Sequence, residues 1–210
     1  MYLSRVEIDY KNRLTSKELN HLGAFHNWVE QSFPKEMEQN KRSRKLWRVD
    51  NLQNRSYLLV LSEEEPNLNM LEKYGVKGTG ETKEYEQFLN SLKNGDRMRF
   101  RVVLNTTKSI SDRSLKRGKV IPLTSEEDQI KYLLDRSEKN GFKLDPQDFY
   151  LVRSGFEKVL KHGEKKLELI KAEFQGELTI MDKDKFKETL TKGIGKKKAY
   201  GFGMMTVIPM

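Results

Sequence analysis

The stretch Gly193–Gly203, GIGKKKAYGFG, carries four glycines, three consecutive lysines and an aromatic on each side of Gly201. Glycine lets a backbone approach a ligand closely, and lysine neutralises phosphate. The stretch is therefore a candidate phosphate-binding loop, and its flanks decide which fold holds it. A dinucleotide loop places G-x-G-x-x-G between a first strand and its helix. A P-loop needs G-x-x-x-x-G-K-[ST], which is absent. Here the helical pattern DKDKFKETLTKG comes first, with Asp182 in cap position and Gly193 as the C-terminal stop. The strand pattern GFGMMTVIP follows. Helix before loop and strand after it excludes both nucleotide folds and points to an α+β domain.

Working backwards, DFYLVRSGFEKVL (148–160) and KKLELIKAEFQGELTIM (165–181) read as two long strands joined through KHGE. TSEEDQIKYLLDRSEKNGF (124–142) reads as a helix capped by Thr124, with Ile130, Leu133 and Leu134 inward and Gly141 ending it. DRMRFRVVLNTT (96–107) is a strand, followed by the basic loop SDRSLKRGKVIPL. The order is β-α-β-β-α-β. The first half repeats it. YLSRVEIDY (2–10) is a strand. LTSKELNHLGAFHNWVEQSFP (14–34) is one helix, with Thr15 and Glu18 at capping-box spacing and Leu22, Phe25, Val29 and Phe33 on one face. KLWRVD and SYLLVLSEE are strands around the turn NLQNR; NMLEKYG is a short helix and KEYEQFL a closing strand. The expectation is two tandem ferredoxin-like (RRM-like) units, residues 1–92 and 95–210, with the boundary near Ser91–Asp96. This is a repeat of pattern, with no residue-level internal repeat.

The chain has 210 residues, and 40 Lys+Arg against 31 Asp+Glu give a formal charge of +9. That balance favours a polyanionic partner, and the RRM-like order directs it toward RNA. No cysteine is present, which excludes disulfides and zinc–thiolate sites. There is no H-E-x-x-H and no EF-hand loop, so neither metal nor cofactor is expected. No apolar run approaches the roughly 18 residues of a membrane span, and the N-terminus lacks a signal-peptide core. The expected location is cytoplasmic.

Lys198-Ala-Tyr-Gly-Phe202 partly matches the RNA-binding pattern K/R-G-F/Y-G/A-F. GIGKKKAYGFGMMTV as a whole resembles the C-terminal glycine-rich loop of the CRISPR-associated repeat-processing endoribonucleases, with Met204 and Met205 in place of leucines. MYLSRVEID, HNWVEQSFP, LWRVD and RMRFRVVLNTTKSI…KRGKVIPL narrow the resemblance to the type I-E branch, the CasE family. It covers essentially the full length. The resemblance implies an endoribonuclease that binds the CRISPR repeat stem-loop and cuts pre-crRNA at its 3′ base without metal, by attack of a ribose 2′-OH. The product remains bound, and the enzyme stays with it as a subunit of Cascade. The implied partners are the repeat RNA and the other Cascade subunits, with no membrane.

Three histidines are available as acid or base near neutral pH. His162 sits in a turn. His21 and His26 share the first helix, and His26 falls at the border of its apolar face. The resemblance selects His26, whose spacing to the closing Phe33-Pro34 is that of the family's catalytic histidine. Relatives often carry a tyrosine three residues before it, and this chain has Gly23. Tyr200, Lys35 and the loop lysines are candidates to assist.

For RNA holding, the hairpin around KHGEKK offers Lys158, Lys161, Lys165 and Lys166, and resembles the family's stem-gripping hairpin. Gly193, Gly195, Lys196, Lys197 and Lys198 form the loop clamp. Arg97, Arg99 and Arg101 share one strand face, where either an anion or neighbouring carboxylates would serve them. SDRSLKRGK and NKRSRK (40–45) read as flexible basic segments. The alternative function is a non-catalytic protein that only holds the stem-loop; a third, a nucleotide enzyme, is disfavoured by the context of the glycine loop.

Overall fold

A computed structural model of the chain describes residues 1–110, 119–160 and 167–210. The first half runs β1 (Tyr2–Glu7), α1 (Arg13–Glu18), α2 (Leu22–Gln31), α3 (Pro34–Glu38), β2 (Leu46–Leu52), β3 (Arg55–Ser62), α4 (Leu68–Leu71), β4 (Glu81–Glu84) and α5 (Glu86–Ser91). The second runs β5 (Arg97–Leu104), β6 (Thr107–Ile110), β7 (Lys119–Pro122), α6 (Glu126–Ser137), β8 (Phe142–Lys143), β9 (Phe149–Val159), β10 (Leu167–Ile180), α7 (Lys183–Lys192) and β11 (Met205–Pro209).

The first sheet is antiparallel in the order β2-β3-β1-β4. The second has the order β11-β5-β10, with β8 and β9 both on the other edge of β10. In each, the first and third principal strands are central and the second and fourth lie outside, so both halves are ferredoxin-like.

Several expected boundaries move. The stretch 14–34 is two helices. Asn12 caps the first through Leu14 N–H, and His21, in extended conformation, restarts the chain by accepting the Ala24 N–H on Nδ1. Thr15 is buried rather than capping, and Glu18 accepts the Tyr74 hydroxyl instead. The closing strand is Glu81–Glu84, and most of KEYEQFL is helix. Tyr85, Phe88, Leu89 and Leu92 recur at helical spacing and pack into the core together. Ser125, not Thr124, caps α6. The strand from residue 97 ends at Leu104, and Thr107–Ile110 pairs with Lys119–Pro122 as a separate hairpin. The rest of the basic loop, 111–118, lies outside the described residues, as do residues 161–166 between β9 and β10 in the sequence.

The helix-facing side of the first sheet supplies Val6, Trp47, Leu58 and Val60 to a core closed by Phe25, Trp28, Val29 and Phe33. Its opposite side faces the second half. Leu46 and Leu61 join the larger core of Phe100, Val102, Leu133, Phe174 and Phe186. Buried Arg48 crosses the same interface. It donates to the carbonyls of Arg101 and Met204 at 2.8 and 3.0 Å, to Thr206 at 2.8 Å, and pairs with Asp50 at 2.6 Å. The two halves are thus joined by apolar packing and by a paired, fully bonded cation, which fixes how their surfaces meet.

Candidate functional site

Helix α2 buries Phe25, Trp28 and Val29 on the sheet and leaves His26 beside that face, with its side chain 31 % exposed. Gly23 lies one turn earlier. A Cβ built there would stand 2.8 Å from the Leu160 carbonyl oxygen and 3.0 Å from the His21 ring. The end of β9 therefore docks on the first turn of α2, and the protein's own backbone fills the space that a side chain at this position would need.

The segment 40–45 is anchored from below. Buried Glu36 accepts the Ser43 N–H at 3.1 Å, the Ser43 hydroxyl, and Lys45 Nζ at 2.6 Å. Burial works to raise the Glu36 pKa, but these donors outweigh it and leave the carboxyl below its ordinary range. Lys45 Nζ lies 4.8 Å from the centre of the Phe33 ring and 3.5 Å from Glu30. Arg42 Nε lies 3.7 Å from the same Glu30 oxygen. The other Glu30 oxygen is 4.0 Å from His26 Nδ1.

The glycine loop arrives from the far end of the chain. Gly193, Gly195, Lys197, Gly201 and Gly203 all have positive φ, and Lys197 at +63° is the non-glycine among them. Trp47 Nε1 donates to the Ala199 carbonyl at 3.1 Å. At Gly201, with φ +80°, a Cβ would lie 2.7 Å from the Trp47 ring. Glycine is required there both for the conformation and for the approach. This contact carries Tyr200 to the site, where its ring meets the His26 ring edge-on at 6.0 Å between centres.

His26, Glu30, Arg42, Ser43, Arg44, Lys45, Gly195, Lys197, Lys198 and Ala199 line an open cleft of ≈ 530 Å³. Among the described residues five cationic side chains face one carboxylate, so the cleft favours an anion. Burial lowers the His26 pKa, Glu30 raises it, and Arg42 and Lys45 lower it further; the net shift is down. Burial, then Arg44, likewise lowers Lys198. A neutral imidazole beside a cationic pocket can exchange a proton with a substrate held by its phosphate.

Of the residues singled out from sequence, His26, Gly195, Lys197 and Lys198 line this cleft. Gly193 ends α7 and packs against Leu46. Lys196 reaches toward Ser109 of β6 at 3.5 Å. Lys158 is exposed on β9, while Lys161, Lys165, Lys166 and His162 lie outside the described residues. Lys35 lines a separate groove with Glu64 and Glu65. Of the arginine row, Arg97 pairs with Glu177 at 2.7 Å, and Arg101 with Glu173 at 2.7 Å and Asp50 at 3.5 Å. Carboxylates, not an incoming anion, answer Arg101, while Arg97 and Arg99 are both exposed. The sequence reading missed Arg42, Arg44, Lys45 and Glu30. Their signals were the run NKRSRK and a carboxylate four residues after the histidine. Among the described residues no cluster of His, Cys, Asp and Glu is arranged to hold a metal, and no helix is long and apolar enough to cross a membrane.

Comparison with known proteins gives a consistent result. A family model described as "CRISPR associated protein" matches residues 1–209. The chain is 26 % identical, over the whole of both chains, to the CRISPR-associated endoribonuclease Cse3 of Thermus thermophilus. A solved Cse3 bound to a 19-nucleotide RNA superposes with a TM-score of 0.83 at 25 % identity, covering 100 % of both chains. A chain of a CRISPR RNA-guided surveillance complex shares the fold, with a TM-score of 0.72 at 21 % identity over 99 % of each chain.

Proposed function

The chain belongs to the CRISPR-associated protein family, in its CasE branch, and from that premise we propose how this endoribonuclease works on its RNA. It binds the repeat stem-loop, cleaves pre-crRNA at the 3′ base of the stem without metal, and stays on the product as a Cascade subunit in the cytoplasm. The observation that carries this reading is the placing of His26 in a cleft where both halves of the chain contribute cations.

The cleft suits in-line attack by a neighbouring hydroxyl. The 2′-oxygen forms a bond to phosphorus as the bond from phosphorus to the 5′-oxygen breaks. The 2′-OH loses a proton, and the departing 5′-oxygen gains one. One fragment ends in a 2′,3′-cyclic phosphate and the other begins with a 5′-OH. His26 is the acid/base group. Lys197, Lys198, Arg42 and Arg44 hold the phosphate on which charge develops. The loop glycines let RNA lie against backbone, and Lys196 extends the cationic surface toward β6. Lys158, with Lys161, Lys165 and Lys166, grips the stem, and Arg99 adds a phosphate contact. The working units are residues 1–92, which carry His26, and 95–210, which carry the loop and hairpin.

The test is incubation with the cognate repeat RNA in EDTA. Cleavage at the 3′ side of the stem is expected, lost in His26→Ala while binding persists. A 2′-deoxy substitution before the cut blocks it. Cleavage by His26→Ala at the wild-type rate overturns the role of His26. Tight binding with no cleavage by the wild-type protein identifies a stem-loop holder instead.

A further inference from the structure

We propose that Glu30 is a positioning residue for His26: it holds the Nδ1 edge of the imidazole, so that Nε2 carries the proton exchanged with the RNA. This rests on the endonuclease reading above and adds to it which ring nitrogen works and what keeps it in place.

A carboxylate is out of place in a phosphate site. Glu30 repels the substrate and offsets part of the charge of Arg42 and Lys45, and its side chain is only 20 % exposed. Its carboxylate nevertheless sits within a set of ion pairs. Lys45 and Arg42 hold one oxygen, at 3.5 and 3.7 Å. Lys45 is itself held by buried Glu36 at 2.6 Å. Glu36, Lys45, Glu30 and His26 thus form a chain of alternating charge that ends at Nδ1, 4.0 Å from the second Glu30 oxygen. Tyr200 closes another side of the ring. With Nδ1 facing Glu30, Nε2 is the nitrogen left for the cleft.

The electrostatics explain why such a group is useful. The other charged groups lining the cleft with His26 are Arg42, Arg44 and Lys45 from the segment after α3, and Lys197 and Lys198 from the glycine loop; the Tyr200 ring lies beside the imidazole. Burial, then Arg42 and Lys45, disfavour imidazolium. Among the described residues Glu30 is the one carboxylate lining the cleft, and it favours imidazolium. When Nε2 takes a proton, Glu30 stabilises the cation that forms; when Nε2 gives it up, Glu30 keeps the remaining proton on Nδ1.

The experiment compares single-turnover cleavage by the full-length wild type, Glu30→Gln and His26→Ala across acid to neutral pH, with the cognate RNA. Imidazole ¹⁵N spectra are recorded alongside. Glu30→Gln is expected to cleave at least about tenfold more slowly, with RNA affinity no weaker than wild type. Its His26-dependent pH limb moves to lower pH, because the favourable charge is gone. The wild-type spectrum shows the Nδ1–H tautomer. A wild-type rate and pH limb in Glu30→Gln, with His26→Ala inactive, overturns this proposal and leaves the endonuclease reading standing. Cleavage by His26→Ala at the wild-type rate removes the reading beneath it. An Nε2–H tautomer in the wild type overturns the proposal even if Glu30→Gln does not fold.

Discussion

Two basic clusters, Arg97-Arg99-Arg101 on β5 and Arg42-Arg44-Lys45 before β2, look alike in the sequence and end differently in the fold. The alternating arginines seem made for an anion, yet Arg97 and Arg101 face Glu177, Glu173 and Asp50. The irregular run NKRSRK reads as a loose surface segment, yet Glu36 fixes it and Arg42 and Arg44 line the His26 cleft. A strand lies beside other strands whose residues can answer its charges. In the loop, Lys45 is buried against Glu36 and Arg42 meets Glu30 only at 3.7 Å, with its side chain 81 % exposed and open to the cleft. The density of charge in a sequence therefore says little about where uncompensated charge remains.

The largest test of this contrast is His26→Ala, expected to lower the cleavage rate by about 10²–10⁴-fold with RNA affinity retained. The pH limb that reports His26 in free enzyme is expected below about pH 6.5, its ordinary value, because burial and then Arg42 and Lys45 outweigh Glu30. A limb above that value would contradict the cationic cleft.

Next in size is Lys45→Ala, which leaves Glu36 buried without its cationic partner and with the Ser43 donors alone. A loss of about 3–5 kcal/mol in unfolding free energy is expected, measurable by urea titration. The Glu36 pKa is lower in the folded state. Its stabilisation is therefore present above the unfolded carboxylate value of about 4.3 and is lost as pH falls through the folded value. An unfolding curve without that acid dependence would break the account of the 40–45 anchor.

The double substitution Arg42→Ala/Arg44→Ala sharpens the comparison directly. If each contacts one phosphate, the slope of log affinity against log salt should shrink by about 1.4–1.8. Arg97→Ala should leave the slope unchanged, since its charge is answered within the protein. Equal effects at the two clusters would erase the distinction.

The smallest effect is expected at Gly201→Ala. Positive φ and the approach to Trp47 together should cost about 1–3 kcal/mol and displace Tyr200 from His26. Unchanged stability and unchanged cleavage would show that the Trp47 contact does not position the loop.

Much of the fold was legible in the residues. The strand and helix patterns placed two β-α-β-β-α-β units, and Asp182 and Gly193 marked the bounds of α7 as observed. Errors came where two local signals competed. Thr15 and Glu18 have capping-box spacing, but a polar His21 could restart the helix, and the chain uses it. Tyr85, Phe88, Leu89 and Leu92 carried a helical period that alternation over a few residues obscured. Within the site, His26 and the loop lysines were visible as residue types, whereas Glu30 looked like any exposed helix carboxylate. Nothing in the sequence around Gly23 signalled that the Leu160 carbonyl would lie against it.

The sequence alone determined the element order, the basic balance, the glycine loop's place between helix and strand, and a histidine on the border of an apolar face. These follow from periodicity and capping, which act within a turn or two of chain. Tertiary structure decided which charges stay uncompensated and which groups share the site. Trp47 holds Ala199 across 152 residues, bringing Tyr200, Lys197 and Lys198 to His26. No local pattern encodes that meeting, because it depends on how the buried faces of the two sheets pack together around Leu46, Leu61 and Arg48.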